Sequence, residues 1–140
     1  MIPGGIGFTF HHVGVACNDI AKEAVHFASL GYAAEGEPFE DAVQGVRGRF
    51  MAGQTPRIEL LEPMSDASSG VLAPWLANGT KLYHLGYLVA HLEAAIEQMR
   101  VQRGKLVVAP VPAIAFGGRL IAFVMLPNRL LIELIASAQT

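Results

Sequence analysis

The chain has 140 residues, of which 52% are hydrophobic and 16% are charged, and its formal net charge is −2 at pH 7. This composition predicts one folded domain and excludes a disordered chain. No basic stretch stands out, so neither a nucleic acid nor an anionic membrane is expected as a partner. A single cysteine, Cys17, excludes an intramolecular disulfide and a multi-cysteine metal cluster.

The first half of the chain predicts one strand, one helix and three further strands. Residues 8–16 are rich in β-branched and aromatic types, which predicts the first strand. Apolar residues at helical spacing predict a helix over 19–30, with Gly31 as its C-cap. Short strands are expected around Ala33, over 46–52 and over 57–61. Residues 35–43 are expected to form a loop that borders a pocket.

The second half predicts the same series of elements. A strand is expected over 82–89, followed by a helix whose apolar face carries Leu92, Ile96 and Met99 and which Gly104 ends. Further strands are expected over 106–108, 119–126 and 130–135. Residues 110–116 are expected to form a loop, and a short helix is expected before the second half, at 71–77.

Three sequence matches show that the two halves repeat, since they come in the same order and at nearly the same spacing. His12-Val13-Gly14-Val15 matches His84-Leu85-Gly86-Tyr87, Gly45 and Arg47 match Gly117 and Arg119, and Ile58-Glu59-Leu60 matches Ile132-Glu133-Leu134. The repeat predicts an α+β fold of two βαβββ modules, at about 8–63 and 81–137, joined by a connector at about 64–80 in a single domain. Each module alone leaves one sheet face bare, so the two are expected to bury each other's open faces.

Polar residues stand at matched positions in these apolar strands. Glu133 lies in an otherwise apolar strand, and a buried carboxylate there must be paired, protonated or bound to a metal ion. Glu59 has the same context in the first module, and His12 and His84 match on the first strand of each module. Imidazole and carboxylate together suit a divalent metal ion. The alternative is that these are hydrogen-bonded core histidines and ion-paired glutamates.

Six short segments carry a resemblance to a known family. They are His11-His12-Val13-Gly14-Val15-Ala16, Gln44-Gly45-Val46, Ile58-Glu59-Leu60-Leu61-Glu62-Pro63, Tyr83-His84-Leu85, Gly117-Gly118-Arg119 and Leu131-Ile132-Glu133-Leu134. With the paired modules, they make the chain resemble the vicinal oxygen chelate superfamily, which includes glyoxalase I, methylmalonyl-CoA epimerase, extradiol dioxygenases and bleomycin-resistance proteins. The epimerase branch is the most similar. The resemblance implies the glyoxalase-like fold, in which two half-barrel mixed sheets surround a central cleft.

The resemblance also implies a metal site and a reaction. It implies that one divalent ion (Co, Mn, Ni, Zn, Mg or Fe) is bound by four ligands, namely His12, Glu59, His84 and Glu133. The expected enzyme is an isomerase or lyase of the epimerase or glyoxalase class. It would transfer a proton through a metal-stabilised enolate of a small acid or thioester, with Glu133 as the catalytic carboxylate.

The sequence departs from the epimerase pattern at two places. Gly48 stands where some epimerases carry a second acidic base, and Leu126-Pro127-Asn128 replaces a His-Pro-Lys motif. The alternative is therefore a non-catalytic protein that sequesters a ligand or antibiotic, as bleomycin-resistance proteins do. A further alternative is an extradiol-type dioxygenase, which needs two histidines, one carboxylate and open positions on Fe(II). Glu59 as a fourth ligand would fill one of those positions.

The remaining expectations concern partners and location. Arg47 and Arg119, matched by the repeat, are candidates to bind a substrate carboxylate or phosphate, and the alternative is a structural ion pair. The substrate is expected to be a small molecule, such as an acyl-CoA or other thioester, and the family resemblance favours a homodimer. The first residues lack a signal-peptide pattern and the longest uncharged stretch is too short to span a membrane, which predicts a cytoplasmic protein.

Overall fold

A computed structural model describes residues 7–65 and 70–137. The start of the chain, on which the signal-peptide expectation rests, and part of the predicted connector lie outside the described residues. The chain divides into two compact units, which we call the first unit (His12–Tyr83) and the second unit (Met1–His11 with His84–Thr140). None of the helices in the described ranges is long and apolar enough to cross a membrane.

The first unit contains one βαβββ series followed by a short helix. The elements are β1 (Phe8–Ala16, of which residues 12–16 belong to this unit), α1 (Ile20–Ala28), β2 (Ala33–Asp41), β3 (Val46–Ala52), β4 (Ile58–Pro63) and α2 (Ala73–Asn78). Their strand order is β2-β3-β4-β1. β1 and β4 are parallel, whereas β2, β3 and β4 pair in antiparallel fashion.

The second unit repeats the series. Its elements are β5 (Leu82–Val89, of which residues 84–89 belong to this unit), α3 (Leu92–Val101), β6 (Lys105–Pro112), a 3-10 turn at Ile114–Phe116, β7 (Leu120–Met125) and β8 (Leu131–Ala136). The strand order is β5-β8-β7-β6, with β5 and β8 parallel and the other pairs antiparallel. The predicted α+β fold of two βαβββ modules is confirmed.

Both long helices end before the glycines that were predicted to end them. In α1 the Asp19 side chain caps the N-terminus by accepting a hydrogen bond from the Lys22 backbone N–H, and the C-cap is Ser29 rather than Gly31. Gly31 instead takes a positive φ of 98° in the turn that follows. In α3 the C-cap is Gln102, and the left-handed residue is Arg103, just before Gly104.

Two segments predicted as loops are edge strands. Residues 35–43 fall mostly in β2, and residues 110–112 extend β6; these two strands end the strand orders of their units. Both carry register irregularities, one between Glu35 and Phe39 and others between Leu106 and Val111. An edge strand tolerates proline and charged residues because one side of its backbone needs no ladder partner. Because of these residue types, the sequence predicted only the part of β2 around Ala33 and the part of β6 over 106–108.

The helix-side cores of the two units differ in size. In the second unit α3 buries Leu92, Ala95 and Ile96 against the sheet. The first unit has a smaller buried core, made of Val15, Met51, Ile58 and Leu60, and no residue of α1 is buried. The repeated series therefore packs more closely in its second copy.

Cys17 should be a slow thiol. It is buried after β1, its S–H donates to the carbonyl oxygen of Leu61 at 3.4 Å, and burial, helped by the negative charges of Glu23 and Glu62, raises its pKa to about 12. At pH 8 we expect an aromatic disulfide reagent to react about 10²-fold or more slowly with the folded chain than with the chain in guanidinium, because the thiolate is the nucleophile.

The raised pKa of Cys17 also determines how its contribution to the stability of the fold changes with pH. Because the pKa of Cys17 is raised in the folded chain, its contribution to stability is complete below the unfolded-state pKa of about 8.5 and is lost as the pH rises toward about 12. Equal reaction rates for the folded and unfolded chain at pH 8 would contradict the assignment.

Candidate metal centre

The first unit places a histidine beside a glutamate on adjacent parallel strands. β1 and β4 pair so that Gly14 lies opposite Glu59, and His12, two residues before Gly14, points to the same face of the sheet. The His12 Nε2 lies 3.0 Å from the Glu59 Oε1. Both residues are buried, with exposed fractions of 0% and 4%.

The second unit builds its pair in the same way. β5 and β8 place Gly86 opposite Glu133, and His84 lies two residues before Gly86. The His84 Nε2 lies 3.1 Å from the Glu133 Oε1. Both residues are almost fully buried. The sequence prediction that these strand positions are buried and chemically matched is therefore realised within each unit.

Each histidine also contacts a phenylalanine that the sequence analysis did not single out. Phe50 lies opposite Glu59, and its ring centroid is 5.5 Å from that of His12 at an interplanar angle of 84°. Phe123 lies opposite Glu133, 5.3 Å from the His84 ring at 78°. These edge-to-face contacts restrict the orientation of the imidazoles. Both modules carry a phenylalanine at this position, but the sequence alone cannot distinguish it from an ordinary core residue of an apolar strand.

The donor set fits a divalent metal ion. The four residues that could hold one are His12, Glu59, His84 and Glu133, all buried. Within each unit, a nitrogen and an oxygen donor lie 3.0 or 3.1 Å apart, close enough for both to bind one ion. Two imidazoles and two carboxylates are ligands that zinc, cobalt, nickel, manganese and iron accept. The chemistry of the residues therefore agrees with the expected cofactor.

Gly48 is covered by an aromatic ring. In the pairing of β2 with β3, Phe39 lies opposite Gly48, and a Cβ added at Gly48 would come within 2.1 Å of the tip of the Phe39 ring. The Phe39 ring lies 6.0 Å from the Phe50 ring. The position where some epimerases carry an acidic base thus has no room for any side chain unless Phe39 moves.

This overlap predicts a coupled pair of substitutions. Gly48→Ala is expected to destabilise the chain by about 1–3 kcal/mol, because the Phe39 ring must be displaced. The same change in a Phe39→Ala background should cost clearly less, so a double-mutant cycle by urea unfolding should show coupling. Gly7→Ala is the control, since nothing lies within 4 Å of an added Cβ there. If the unfolding free-energy changes of Gly48→Ala and Phe39→Ala simply add in the double variant, the contact between Gly48 and Phe39 is contradicted.

The two arginines matched by the repeat occupy different positions. Arg47 lies in β3, where its Nε is 3.0 Å from Glu40 and its Nη1 is 3.4 Å from Glu62. The hydrogen bond to Glu40 raises the pKa of Arg47. Arg119 precedes β7 and donates from Nη1 to the Ser137 carbonyl oxygen at 2.8 Å. Counted from Phe50 and Phe123, the residue that corresponds to Arg47 is Leu120 rather than Arg119. A role of either arginine in substrate binding stays a prediction.

A family model assigns the chain to a protein family. The model described as the glyoxalase/bleomycin resistance protein/dioxygenase superfamily matches residues 11–123. The chain therefore belongs to this superfamily, as the resemblance predicted. No curated protein sequence matches it significantly.

Solved structures share the fold over nearly the whole chain. A methylmalonyl-CoA epimerase from Mycobacterium tuberculosis has a TM-score of 0.78 and 26% identity, covering 99% of this chain and 94% of its own. A hypothetical protein from Bacillus halodurans has a TM-score of 0.79 and 22% identity, covering 96% and 97%. A methylmalonyl-CoA epimerase in complex with methylmalonyl-CoA and ammonium has a TM-score of 0.74 and 23% identity, covering 96% of each chain. These similarities confirm the glyoxalase-like fold.

Proposed function

We propose that the protein is a metal-dependent enzyme that transfers a proton through a stabilised enolate of a small acid or thioester. The observation that carries the proposal is the pair of buried His–Glu contacts, built at the same strand positions in both halves. Burying two carboxylates in apolar strands is costly unless a positive partner compensates them. One divalent ion held by both pairs would supply that partner.

In this proposal the chain's own residues have distinct roles. His12, Glu59 and His84 hold the ion, and Glu133 both holds it and moves the proton at the carbon next to the substrate carbonyl. When bound, the ion supplies Lewis-acid stabilisation of the negative charge on the substrate oxygens. Phe50 and Phe123 keep the imidazoles oriented, and the apolar strands around the pairs exclude water from the reacting carboxylate.

The substrate class rests on the similar structures. Several of them are methylmalonyl-CoA epimerases, one in complex with methylmalonyl-CoA, which favours an acyl-CoA or other thioester here. Arg47 and Arg119 stay candidates for contacts to a carboxylate or phosphate of that substrate. We propose a homodimer as the assembly and the cytoplasm as the location, in line with the sequence-based expectations.

The first experiment measures metal content. Elemental analysis of untagged protein purified without chelator is expected to give about one divalent ion per chain, lost in the His12→Ala/Glu133→Ala double variant. His26→Ala, an exposed histidine of α1, is the matched control and should keep the ion. No ion in the wild-type chain, even after dialysis against Co²⁺, Mn²⁺, Ni²⁺ and Zn²⁺, would overturn the proposal.

A second candidate function is ligand sequestration without chemistry. The observation that favours it is the Phe39 ring over Gly48, which leaves no carboxylate at this position. The two candidates differ in solvent deuterium incorporation at the substrate's α-carbon, measured by mass spectrometry with methylmalonyl-CoA. Incorporation that depends on the metal favours the enzyme, whereas metal-dependent binding without incorporation favours sequestration.

A further inference from the structure

The first unit contains a cavity on the helix side of its sheet. It measures about 730 Å³ and lies between α1 and strands β2 and β3. Ile20, Ala24, Pro38 and Met51 form much of its apolar lining, and its charged lining residues are Glu40, Arg47, Arg49 and Glu62. This volume lies within the range of small-molecule sites in proteins.

Most of the cavity's side chains lie on the sheet face opposite to the first unit's His–Glu pair, and Phe39 and Gly48 also line the cavity. Side chains alternate along β3, so Met51 packs in the helix-side core whereas Phe50 lies opposite Glu59 on the other face. Arg47 and Arg49 share the face of Met51. The cavity is therefore distinct from the residues to which the proposed function assigns metal binding.

At the corresponding positions of the second unit, larger side chains occupy the space between the helix and the sheet. Ala24 and Ile96 are each the fifth residue of their helix, and Ile96 is buried. Ala34 pairs with Met51 in the first unit, whereas Leu106 pairs with Val124 in the second. Smaller side chains in the first unit thus leave open the space that isoleucine and leucine fill in the second.

The cavity also contains a charged residue at a position where the second unit has an uncharged one. Arg49 and Ala122 each directly precede the phenylalanine that contacts the histidine, and Ala122 is fully buried in the apolar core. Unlike Ala122, Arg49 is only half-buried and its hydrogen bond to Gly36 is exposed, so its guanidinium is partly solvated.

The hydrogen bonds of Arg49 leave part of its guanidinium available. Its Nη2 donates to the Gly36 carbonyl oxygen at 3.0 Å, and its Nε is buried with no hydrogen-bond partner among residues 7–65 and 70–137. Arg47 beside it is already paired with Glu40 and Glu62. Arg49 itself forms no ion pair among the residues that the structure describes, so its guanidinium can still donate hydrogen bonds to an anionic ligand.

We propose that this cavity binds a small carboxylic acid with an apolar chain. The carboxylate accepts hydrogen bonds from Arg49, and the chain packs against Ile20, Ala24 and Met51. The inference does not depend on the proposed metal chemistry, because each lining residue lies in the first unit and none of the proposed metal ligands lines the cavity.

Octanoate is the test ligand, and 1-octanol is its uncharged control. Isothermal titration of the wild-type chain is expected to show one octanoate per chain, bound about tenfold or more tightly than 1-octanol. Arg49→Met keeps an unbranched side chain like the aliphatic part of arginine and removes the guanidinium, so it should lower octanoate affinity about tenfold and leave 1-octanol affinity unchanged. Equal affinity for the two ligands, or no binding of octanoate, would overturn the proposal.

A second variant tests whether octanoate binds in this cavity. Ala24→Ile/Ala34→Leu copies the filled cavity of the second unit and should abolish octanoate binding while the melting temperature stays equal or rises. Ala94→Ile, at an exposed position of α3, is the matched control and should bind octanoate normally. Octanoate binding that survives the filled cavity but is lost in His12→Ala would place the ligand at the metal centre and overturn the proposal. The metal analysis above is unaffected by either result, so the two proposals fail separately.

Discussion

Glu133→Gln is expected to lower the rate of α-proton exchange by about 10²–10⁴-fold, because the amide cannot take up the proton that the carboxylate moves. The measurement is deuterium incorporation into methylmalonyl-CoA at saturating metal ion. The side chain keeps its size and an oxygen that can still contact His84, so the fold should be unchanged.

The repeat provides the matched control for this change. Glu59→Gln alters the corresponding carboxylate of the first unit, which lies at the same strand position and is equally buried. It should weaken metal binding, yet at saturating metal it should lose much less activity than Glu133→Gln. Equal losses in the two variants would contradict the assignment of the proton transfer to Glu133.

Leu134→Ala is expected to have the largest effect on stability, about 2–5 kcal/mol, because a fully buried leucine leaves a cavity behind it. Leu134 lies in the helix-side core of the second unit, among Ala122, Val124 and Ile132. Urea unfolding measures the change, which should appear as a lower midpoint at constant slope.

An exposed residue of the same unit is the control for this prediction. Val101→Ala, at the C-terminal end of α3 with an exposed fraction of 69%, should change stability by less than about 0.5 kcal/mol. A cost below about 1 kcal/mol for Leu134→Ala would show that the core of the second unit collapses around the missing atoms.

The bounds of β1, β3 and β5 could be predicted because their residues are strongly β-forming and their pattern is set by burial. Of β2 only the start around Ala33 was predicted, since the rest of the strand contains Gly36, Pro38 and several charged residues and its strand conformation comes from pairing with β3. Local composition carries no information about that distant partner. The same reason explains why β6 extends beyond its predicted end.

The candidate site was predictable where the repeat marked it. His12, Glu59, His84 and Glu133 are polar residues in apolar strands, which makes them visible in one sequence. Phe50 and Phe123 were not visible, because their role depends on register with β4 and β8. The contact of Phe39 with Gly48 likewise depends on the pairing of two strands, and the helix-side cavity depends on how closely α1 packs.

The difference in helix packing has a consequence for local motion. Since α1 buries no side chain fully, its packing residues being only partly buried, and α3 buries three, separating α1 from its sheet exposes less apolar surface. The backbone amides of α1 should therefore exchange with deuterated solvent through local opening, whereas those of α3 should exchange mainly through global unfolding. A ligand could then enter the helix-side cavity while β1, β3 and β4 stay folded.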